Sequence, residues 1–488
     1  MTATMPSSPD RSRQALPPGF ESKAGHLILE GCDLVELAEG HGTPLFVFSE
    51  RRLRDNAGGF LRAARKGHPK AVVCYASKAC SNHRVLQIIH EEGLSIEINS
   101  GGELHKAIEA GFAPHQIVFN GVAKSVEELR QAIALGIRAI NVDSAFELRR
   151  IAEISASTGK VANVALRLVP GIAGGAAAGI QTGAATSKFG MTQQELEEAI
   201  AILQQAGDTI NLTGTHLHIG SQVAETDAFL TSVKFAADQK RRLTEILGKP
   251  LRQINLGGGY PVHYSHRPAG QRAGSNALDH FAATCSAADM VQEVASAARQ
   301  WIGDDVEVLF EPGRSLVADT ALLLTRVESI RKRGEQPWIY LDGGYNLIFD
   351  AVVSRWYFHM ATANRLGATT TAEFRVVGPL CDSSDCYYDV EGEYLLKSLL
   401  QQMPDLTEEQ KAILQAQVIR LPATRPLAPQ TQPGDIVSIF DVGAYSLEEM
   451  FQYCGRLRAA AVIIGLDGNI SPIRLRDTAE DLTSHDQK

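Results

Sequence analysis

The chain has 488 residues, of which 44% are hydrophobic and 21% charged, a balance typical of a globular protein with a large core. This length exceeds that of one ordinary domain, so we expect two. The 47 lysines and arginines are outnumbered by 56 acidic residues, and the net charge of −9 disfavours nucleic acid or an anionic membrane as a partner.

The first residues are rich in proline and serine and contain no apolar run of signal-peptide length, so residues 1–24 are predicted to be a flexible tail. No later stretch approaches the roughly 20 apolar residues that a membrane span requires. The seven cysteines are scattered and form no CxxC pair. We therefore expect reduced thiols, no metal site and a cytoplasmic location.

Eight short runs rich in β-branched residues, each followed by a helical pattern, fill residues 49–318. Two of the helical segments begin with a serine followed three residues later by glutamate, at Ser125 and Ser144, which is the capping-box pattern. This alternation predicts an α/β fold, a (β/α)8 TIM-type barrel. The strands are predicted at 72–77, 95–99, 116–120, 139–143, 163–169, 212–220, 253–258 and 307–311.

After residue 318 the apolar runs are no longer separated by regular helices. Residues 319–475 are therefore predicted to form a mostly antiparallel β domain with a helical insertion at 395–417. Residues 25–48 precede the barrel and are expected to contribute to the same β domain, and 476–488 are predicted to be a tail.

The residues at the carboxyl ends of the predicted strands carry the chemistry of such a barrel. Lys78 follows strand one, and a desolvated lysine beside other cations becomes a nucleophile toward a carbonyl group. Glu311 follows strand eight and could keep a pyridine nitrogen protonated. His218, at the end of strand six, could stack on such a ring. The plainer alternatives are a surface lysine, an ion pair of Glu311 with Arg314, and a satisfied core histidine.

Two glycine-rich turns, GGG (257–259) and EPGR (311–314), follow strands seven and eight, where barrels commonly hold a phosphate. Glycines allow backbone N–H groups to approach phosphate oxygens, and a nearby serine and arginine could add donors. A tight turn without a ligand is an equally good explanation of GGG alone. Together, the turns predict a phosphate site, to which Ser221 or Arg314 could add donors.

Nine motifs, in order, make the chain resemble the fold-type III pyridoxal-phosphate decarboxylases, typified by diaminopimelate and ornithine decarboxylases. The resemblance covers roughly residues 25–465. The motifs are YASKAC (75–80), INSGGEL (98–104), VFNGVAK (118–124), SKFGM (187–191), HIGSQ (218–222), LGGGYP (256–261), EPGRSLVA (311–318), GPLCDSSD (378–385) and DVGAYS (441–446).

The resemblance implies that the cofactor is pyridoxal 5'-phosphate, carried by Lys78, with His218 stacked on its ring and Glu311 at its ring nitrogen. It places Ser221, Gly258, Gly259, Gly313, Arg314 and Tyr445 around the phosphate, with Tyr445 also near the substrate. It also implies a head-to-tail homodimer in which Cys381 and Asp382 enter the site from the partner subunit. Cys381 would then protonate the α-carbon and Asp382 would bind the substrate. The alternatives are a buried thiol for Cys381 and an interface aromatic for Tyr445.

The substrate is predicted from two departures within this resemblance. Diaminopimelate decarboxylases usually have Cys-Glu-Ser in the partner loop, where this chain has Cys381, Asp382 and Ser383. They also place an arginine in the stretch that corresponds to 343–353, where this chain has none before Arg355. A second carboxylate left unpaired in a desolvated site costs roughly 2–5 kcal/mol. We therefore predict decarboxylation of a basic amino acid with one carboxylate, ornithine or lysine.

Parts of the chain (25–34, 75–81 and 343–365) also resemble the subgroup acting on D-ornithine and D-lysine, so the prediction includes the D-enantiomer. Diaminopimelate remains the alternative if Arg355 binds the second carboxylate. A larger substrate of specialised metabolism, an amino-acid racemase and a catalytically silent regulatory homologue also stay open. Intact Lys78, Glu311 and Cys381 argue against the silent homologue.

Overall fold

The computed structural model describes residues 16–172, 187–266 and 281–487. These residues divide into two compact units. The barrel unit comprises 51–263 and 281–318, and the β unit comprises the described residues up to 50, 264–266 and 319–487.

The barrel unit is a closed, parallel, eight-stranded barrel in the order β10-β11-β12-β5-β6-β7-β8-β9. The eight predicted strands are confirmed, and apolar side chains such as those of Ile96, Ile140 and Leu309 are fully buried. The strands are β5 Ala71–Ala76, β6 Ser95–Ile98, β7 Ile117–Phe119, β8 Ala139–Val142, β9 Ala162–Arg167, β10 Ile210–His216, β11 Gln253–Asn255 and β12 Glu307–Phe310.

Helices follow or connect these strands. Apart from α2, which starts one residue before the barrel unit, they lie within it. They are α2 Glu50–Gly67, α3 His83–Glu91, α4 Gly101–Glu109, α5 Val126–Leu135, α6 Ala145–Thr158, α7 Gln193–Ala206, α8 Thr226–Leu247, α9 Ala287–Trp301 and α10 Arg314–Val317.

The two predicted capping boxes differ in outcome. At α5, Ser125 Oγ accepts a hydrogen bond from the backbone of Glu128, whose carboxylate accepts one from the Ser125 N–H, so the box is complete. At α6, Ser144 Oγ accepts from the Glu147 N–H, but the Glu147 carboxylate binds Lys124 instead of returning to the cap. The second box is therefore only half formed, because Glu147 belongs to a buried ion pair.

The β unit contains a three-stranded sheet, β1-β2-β3, and a nine-stranded sheet in which antiparallel pairs outnumber parallel ones. Segment 25–48 supplies strands to both sheets, as expected. The elements are β1 Phe20–Lys23, β2 His26–Leu29, β3 Cys32–Asp33, α1 Leu34–His41, β4 Leu45–Ser49, β13 Ala321–Arg333, β14 Gln336–Leu341, α11 Asp350–Val353, β15 Met360–Thr362, β16 Ala372–Val377, α12 Val390–Gln402, α13 Glu408–Val418, β17 Arg425–Leu427, β18 Ile436–Ile439, α14 Ser446–Glu449, β19 Ala460–Ile464 and β20 Ile470–Arg474.

Three local predictions for this unit need correction. The predicted insertion is two helices, α12 and α13, because Pro404 lies between them and cannot continue a helix. Part of the predicted N-terminal tail is ordered, because β1 pairs with β2 and Phe20 packs edge-on against Phe440 at 4.9 Å. Residues 1–15 of that predicted tail lie outside the described ranges. In the predicted C-terminal tail, Asp477 is buried and pairs with Arg458 and Arg474.

No helix in the described ranges is both long enough and apolar enough to cross a bilayer.

Candidate active site

Lys78 lies in a short 3-10 turn directly after β5, at the carboxyl end of the barrel. The turn is fixed by Ser77, whose buried hydroxyl donates to the Glu97 carbonyl at 2.8 Å and contacts a Glu103 carboxylate oxygen at 2.9 Å. The Lys78 side chain is exposed, whereas Ser77 and Ala79 on either side are buried. A rigid turn therefore presents one amine at the rim of the barrel.

Glu311, directly after β12, is the centre of a buried polar network. Its Oε2 accepts hydrogen bonds from Asn120 Nδ2 at 3.0 Å and His216 Nε2 at 3.1 Å, and its Oε1 accepts one from Asn255 Nδ2 at 2.7 Å. Asn141 Nδ2 lies 3.5 Å from Oε1 and donates to Asn120 Oδ1 at 2.6 Å. All five residues are buried, so the carboxylate is held by side chains from several strands.

Burial by itself would raise the pKa of Glu311, but the interaction with His216 and the hydrogen bond from Asn255 outweigh it and lower that pKa to about 2. Burial lowers the pKa of His216, so its imidazole is neutral and donates its single N–H from Nε2 to Glu311. The result is an ionised carboxylate inside the barrel, which suits the role predicted for Glu311.

His218 lies beyond the end of β10, which stops at His216 and not at residue 220 as predicted. The strand stops because the glycine-rich turn crosses its end: a Cβ on Gly257 would lie 2.3 Å from the Leu217 carbonyl oxygen. His218 Nδ1 accepts the Gly258 N–H at 3.0 Å. Burial, followed by repulsion from Lys78 and Arg167, lowers the pKa of His218 well below its usual value, so its ring is neutral.

The glycines of the 257–259 turn are explained first by packing between strand ends. A Cβ would lie 2.1 Å from the Glu311 carbonyl oxygen at Gly258 and 2.4 Å from the Gly220 carbonyl oxygen at Gly259. The Gly258 N–H is donated to His218, so that group serves the protein itself in this arrangement. Its predicted role as a phosphate donor stays a prediction.

The other predicted phosphate ligands of the barrel unit lie close together. Arg314 is buried at the start of α10, with its Nε 3.4 Å from Ser221 Oγ. Gly313 packs against the turn of Lys78, since a Cβ there would lie 3.0 Å from Ala76 Cβ. A guanidinium, a hydroxyl and a tightly packed glycine therefore adjoin the lysine turn, a donor set suited to an anionic group.

Glu97, in β6, provides an independent test of whether a cofactor fits. Its side chain is fully buried, and neither carboxylate oxygen makes a hydrogen bond of normal geometry within the described ranges, although Asn120 lies close enough to help stabilise the charged form. Burial raises its pKa to about 8, although nearby Lys78 opposes the rise. A buried acid whose oxygens are poorly satisfied by the protein and which lies near Lys78, together with the donors around Arg314, fits a phosphorylated aldehyde cofactor.

The sequence analysis missed most of the network around Glu311, and it missed Arg167. The Arg167 guanidinium lies 4.4 Å from the centre of the Phe189 ring and 3.8 Å from the Asp143 carboxylate, which also accepts the Gly190 N–H at 3.0 Å. These contacts dock the SKFGM motif on the barrel. The available signal was a polar residue near the carboxyl end of successive strands, as in VFN, AINV, LRLV, THL and INL.

In the β unit, the GPLCDSSD loop is anchored by Asp385, whose carboxylate accepts the N–H groups of Tyr345 at 2.9 Å and Leu380 at 2.7 Å. The anchor leaves Cys381 exposed and Asp382 partly exposed. Tyr445, also in the β unit, precedes α14 with a left-handed φ of 66°. The predicted roles of Cys381, Asp382 and Tyr445 stay predictions.

The barrel unit has a lysine at its rim, an ionised carboxylate buried inside it and a cluster of hydrogen-bond donors suited to an anion. Together these features define an enzyme that uses pyridoxal phosphate. Residues 60–318 match the family model described as "Pyridoxal-dependent decarboxylase, pyridoxal binding domain", which is more than half of the chain. The chain belongs to this family, the fold-type III pyridoxal-phosphate-dependent decarboxylases, and is an amino-acid decarboxylase.

Relatives and solved structures match beyond the barrel. The chain is 30% identical over 470 residues to diaminopimelate decarboxylase of Bacillus subtilis, covering 96% of each protein. It is 31% identical over 475 residues to that of Halalkalibacterium halodurans, covering 95% of each. The crystal structure of diaminopimelate decarboxylase from Methanocaldococcus jannaschii with L-lysine has a TM-score of 0.78 at 28% identity, covering 96% of this chain and 98% of that one.

Proposed function

We propose that this enzyme decarboxylates an amino acid whose side chain ends in a second amino group, with meso-diaminopimelate as the first candidate. The observation that carries the proposal is the similarity to diaminopimelate decarboxylases, which spans 96% of the chain and so includes the β unit as well as the barrel. The comparisons therefore favour the alternative of the sequence analysis over its first choice, ornithine or lysine.

The stereochemistry is consistent with both choices. Removal of carbon dioxide from meso-diaminopimelate to leave L-lysine takes the carboxylate from the carbon of D configuration. D-ornithine and D-lysine, which the sequence analysis included, have the same configuration at the reacting carbon. A site with one orientation of the reacting carboxylate would therefore suit either class.

The residues of this chain divide the reaction between them. Pyridoxal phosphate, once bound, supplies a conjugated ring that accepts the electron pair left when carbon dioxide departs. Lys78 would hold the cofactor, Glu311 would keep the proton on the ring nitrogen, and the neutral ring of His218 would pack on the cofactor without adding charge. Arg314 and Ser221 would bind the phosphate. Cys381 would donate the proton that replaces the carboxylate at the α-carbon.

Asp382 has surroundings suited to a distal ammonium. It accepts hydrogen bonds from the Ser384 N–H at 2.8 Å and the Tyr345 hydroxyl at 2.9 Å, and these two contacts lower its pKa. The Tyr345 ring lies 5.7 Å from that of Phe451 and 6.2 Å from that of Tyr453. An ionised carboxylate beside electron-rich aromatic faces attracts an ammonium group.

A basic amino acid with a single carboxylate is the second candidate, favoured by one specific observation. Arg355, the first arginine after 343–354, has its Nη1 3.4 Å from both carboxylate oxygens of Asp389, which is buried. Breaking this ion pair to bind a substrate carboxylate would leave the buried Asp389 carboxylate with the N–H groups of Gly392 and Arg420 but without a cation, which is costly. Phe349 at the start of α11 supplies no charge for a second carboxylate.

The proposal includes a homodimer in which Cys381 and Asp382 of one copy serve the barrel site of another. Its test is to mix the inactive variants Lys78→Ala and Cys381→Ala. Random re-pairing would restore about a quarter of the activity, because half of the dimers would each contain one intact site. If mixing restored nothing while each variant still exchanged subunits, the shared site would be rejected.

The substrate is tested by measuring carbon dioxide release from meso-diaminopimelate and from D- and L-ornithine, lysine and arginine, with Lys78→Ala as the blank. Turnover of meso-diaminopimelate with the highest kcat/KM would support the first candidate. Preference for D-ornithine or D-lysine by a factor of ten or more, about 1.4 kcal/mol, would move the assignment to the second. Turnover only of amino acids without a second amino group would reject both.

A further inference from the structure

His266 and Asp441 form a largely buried pair in the β unit, with His266 Nε2 2.5 Å from Asp441 Oδ2. Both residues have left-handed backbone conformations, with φ of 49° at His266 and 62° at Asp441. Non-glycine residues rarely adopt this conformation, and it persists where the surrounding contacts enforce it. Because two such residues are joined through their side chains, we infer that this contact helps to keep both backbones in the left-handed conformation.

The groups around His266 come from several segments. The His359 ring lies 5.4 Å from the His266 ring and stacks on Phe440 at 5.7 Å. Asp319 also faces His266 and favours its charged form, as Asp441 does. The Tyr357 hydroxyl, 3.3 Å from His359 Nδ1, is a further titratable group of this cluster. Within the described residues, His266 therefore has two carboxylates, Asp441 and Asp319, and one imidazole, His359, around it.

The pair fixes the start of the turn 441–446, whose backbone is anchored on both sides of Asp441. The Phe440 N–H donates to the His359 carbonyl at 3.0 Å, and the Val442 N–H donates to the Ala321 carbonyl at 3.0 Å. With both neighbours fixed, the left-handed φ of Asp441 turns its carboxylate toward His266. The same turn ends at Tyr445, which also has a left-handed φ, of 66°.

We propose that His266 is a positioning residue that acts through Asp441 to hold the turn 441–446 in the conformation that presents Tyr445 to the cofactor phosphate. This rests on the proposed role of Tyr445 at the phosphate. His266 itself contacts neither cofactor nor substrate. It keeps the turn 441–446 in one conformation before the anion binds, so that binding does not have to include the entropic cost of ordering this turn.

The proposal predicts a direction for the effect of pH. Burial opposes the charged form of His266, but Asp441 outweighs it and raises the pKa of His266 above its usual value. The pair is therefore fully formed below the ordinary pKa of histidine, about 6.5, and is lost as the pH rises through the higher pKa of the folded protein. Phosphate binding should weaken over the same range.

The experiment measures the Kd of pyridoxine 5'-phosphate for the cofactor-free, full-length protein by calorimetry between pH 5.5 and 9. This probe has the phosphate but no aldehyde, so titration of Lys78 does not enter the measurement as a chemical step. The variants are His266→Gln and Asp441→Asn, the second of which tolerates a left-handed φ. His26→Gln is the matched control, because His26 forms a 2.8 Å contact with Asp33 in the same unit, away from the turn.

We expect His266→Gln and Asp441→Asn to raise the Kd at pH 6.5 by roughly 2- to 30-fold and to flatten its rise with pH, while His26→Gln matches the parent. A parental Kd and pH profile in both test variants would overturn the proposal, as would an equal loss in His26→Gln. Tyr445→Phe separates the two assumptions: if it binds as the parent does, the role of Tyr445 at the phosphate fails. If it weakens binding and His266→Gln does not, the role of His266 fails.

Discussion

Replacing Glu311 with glutamine is the most direct test of the buried network, because the new amide cannot satisfy the same partners. If the glutamine oxygen takes the place of Oε2, its NH2 group faces Asn255 Nδ2, the donor that lies 2.7 Å from Oε1 in the parent. Asn255 cannot simply turn over, since its Oδ1 accepts the Gly257 N–H at 2.9 Å. At least one buried donor is left unpaired, at a cost of about 1–3 kcal/mol.

The variant should also lose the ability to keep a proton on the ring nitrogen, because an amide is neutral at every pH at which the parent carboxylate, with its pKa of about 2, is ionised. We expect kcat to fall by roughly 10²- to 10⁴-fold, the range typical for the loss of a positioned proton-transfer group. Urea unfolding of the cofactor-free protein measures the first effect, and kcat with cofactor loading followed by absorbance measures the second.

Glu311→Asp is the control, because it keeps the charge and shortens the side chain. It should retain more activity than Glu311→Gln at equal cofactor loading. A glutamine variant that is fully loaded and within threefold of the parental kcat, about 0.7 kcal/mol, would refute the assignment of Glu311 to the ring nitrogen.

Three further predictions follow from single contacts. Lys78→Ala should abolish borohydride-stable labelling by pyridoxal phosphate, and peptide mapping that found the parental label elsewhere would remove the proposed lysine. Glu97 is protonated more readily in the folded protein than in the unfolded chain, so stability of the cofactor-free protein should fall as the pH rises from about 4.5 to about 8. Glu97→Gln should remove that slope in urea unfolding, and an unchanged slope would contradict the raised pKa. Gly258→Ala should cost about 1–3 kcal/mol, because its Cβ would lie 2.1 Å from the Glu311 carbonyl oxygen, whereas Gly40→Ala, in α1 with no atom within 4 Å of the added Cβ, should be neutral or stabilising by up to about 1 kcal/mol.

The barrel could be predicted because its signal repeats. Each strand is a short buried run, each is followed by an amphipathic helix, and the eight runs agree on one architecture even where a single boundary is displaced. The β10 boundary was displaced because HLHIG continues the apolar alternation beyond His216. What stops the strand is the approach of Gly257 to Leu217, a contact between residues 40 positions apart that local patterning does not contain.

The site could be predicted only where a residue type is unusual for its place. Lys78 and Glu311 stand out at strand ends, and the motifs identify them. Asn120, Asn141 and Asn255 do not stand out, because a single asparagine near a strand end is common in turns. Their importance comes from convergence on one carboxylate across the barrel, which depends on closure of the sheet. Glu147 shows the same limit, since its spacing from Ser144 fits a cap while its partner is Lys124.

Cofactor chemistry and substrate choice depend on different parts of this chain. The side-chain hydrogen bonds to Glu311 come from the barrel unit, and the family match at 60–318 covers most of that unit, so the barrel is sufficient to assign the cofactor and the class of reaction. Asp382, Phe349 and Arg355, on which the proposed choice between one and two substrate carboxylates is argued, all belong to the β unit. We therefore expect substitutions among them to change the substrate while the Glu311 network of the barrel unit stays the same. An overall identity near 30% is therefore weaker evidence for the substrate than the presence of one arginine that can bind a second carboxylate. Arg355 contacts a buried aspartate through Nη1 alone, so its binding of a second carboxylate would compete with that ion pair, and Arg355→Gln should therefore affect turnover of meso-diaminopimelate more than that of D-lysine if Arg355 has this role.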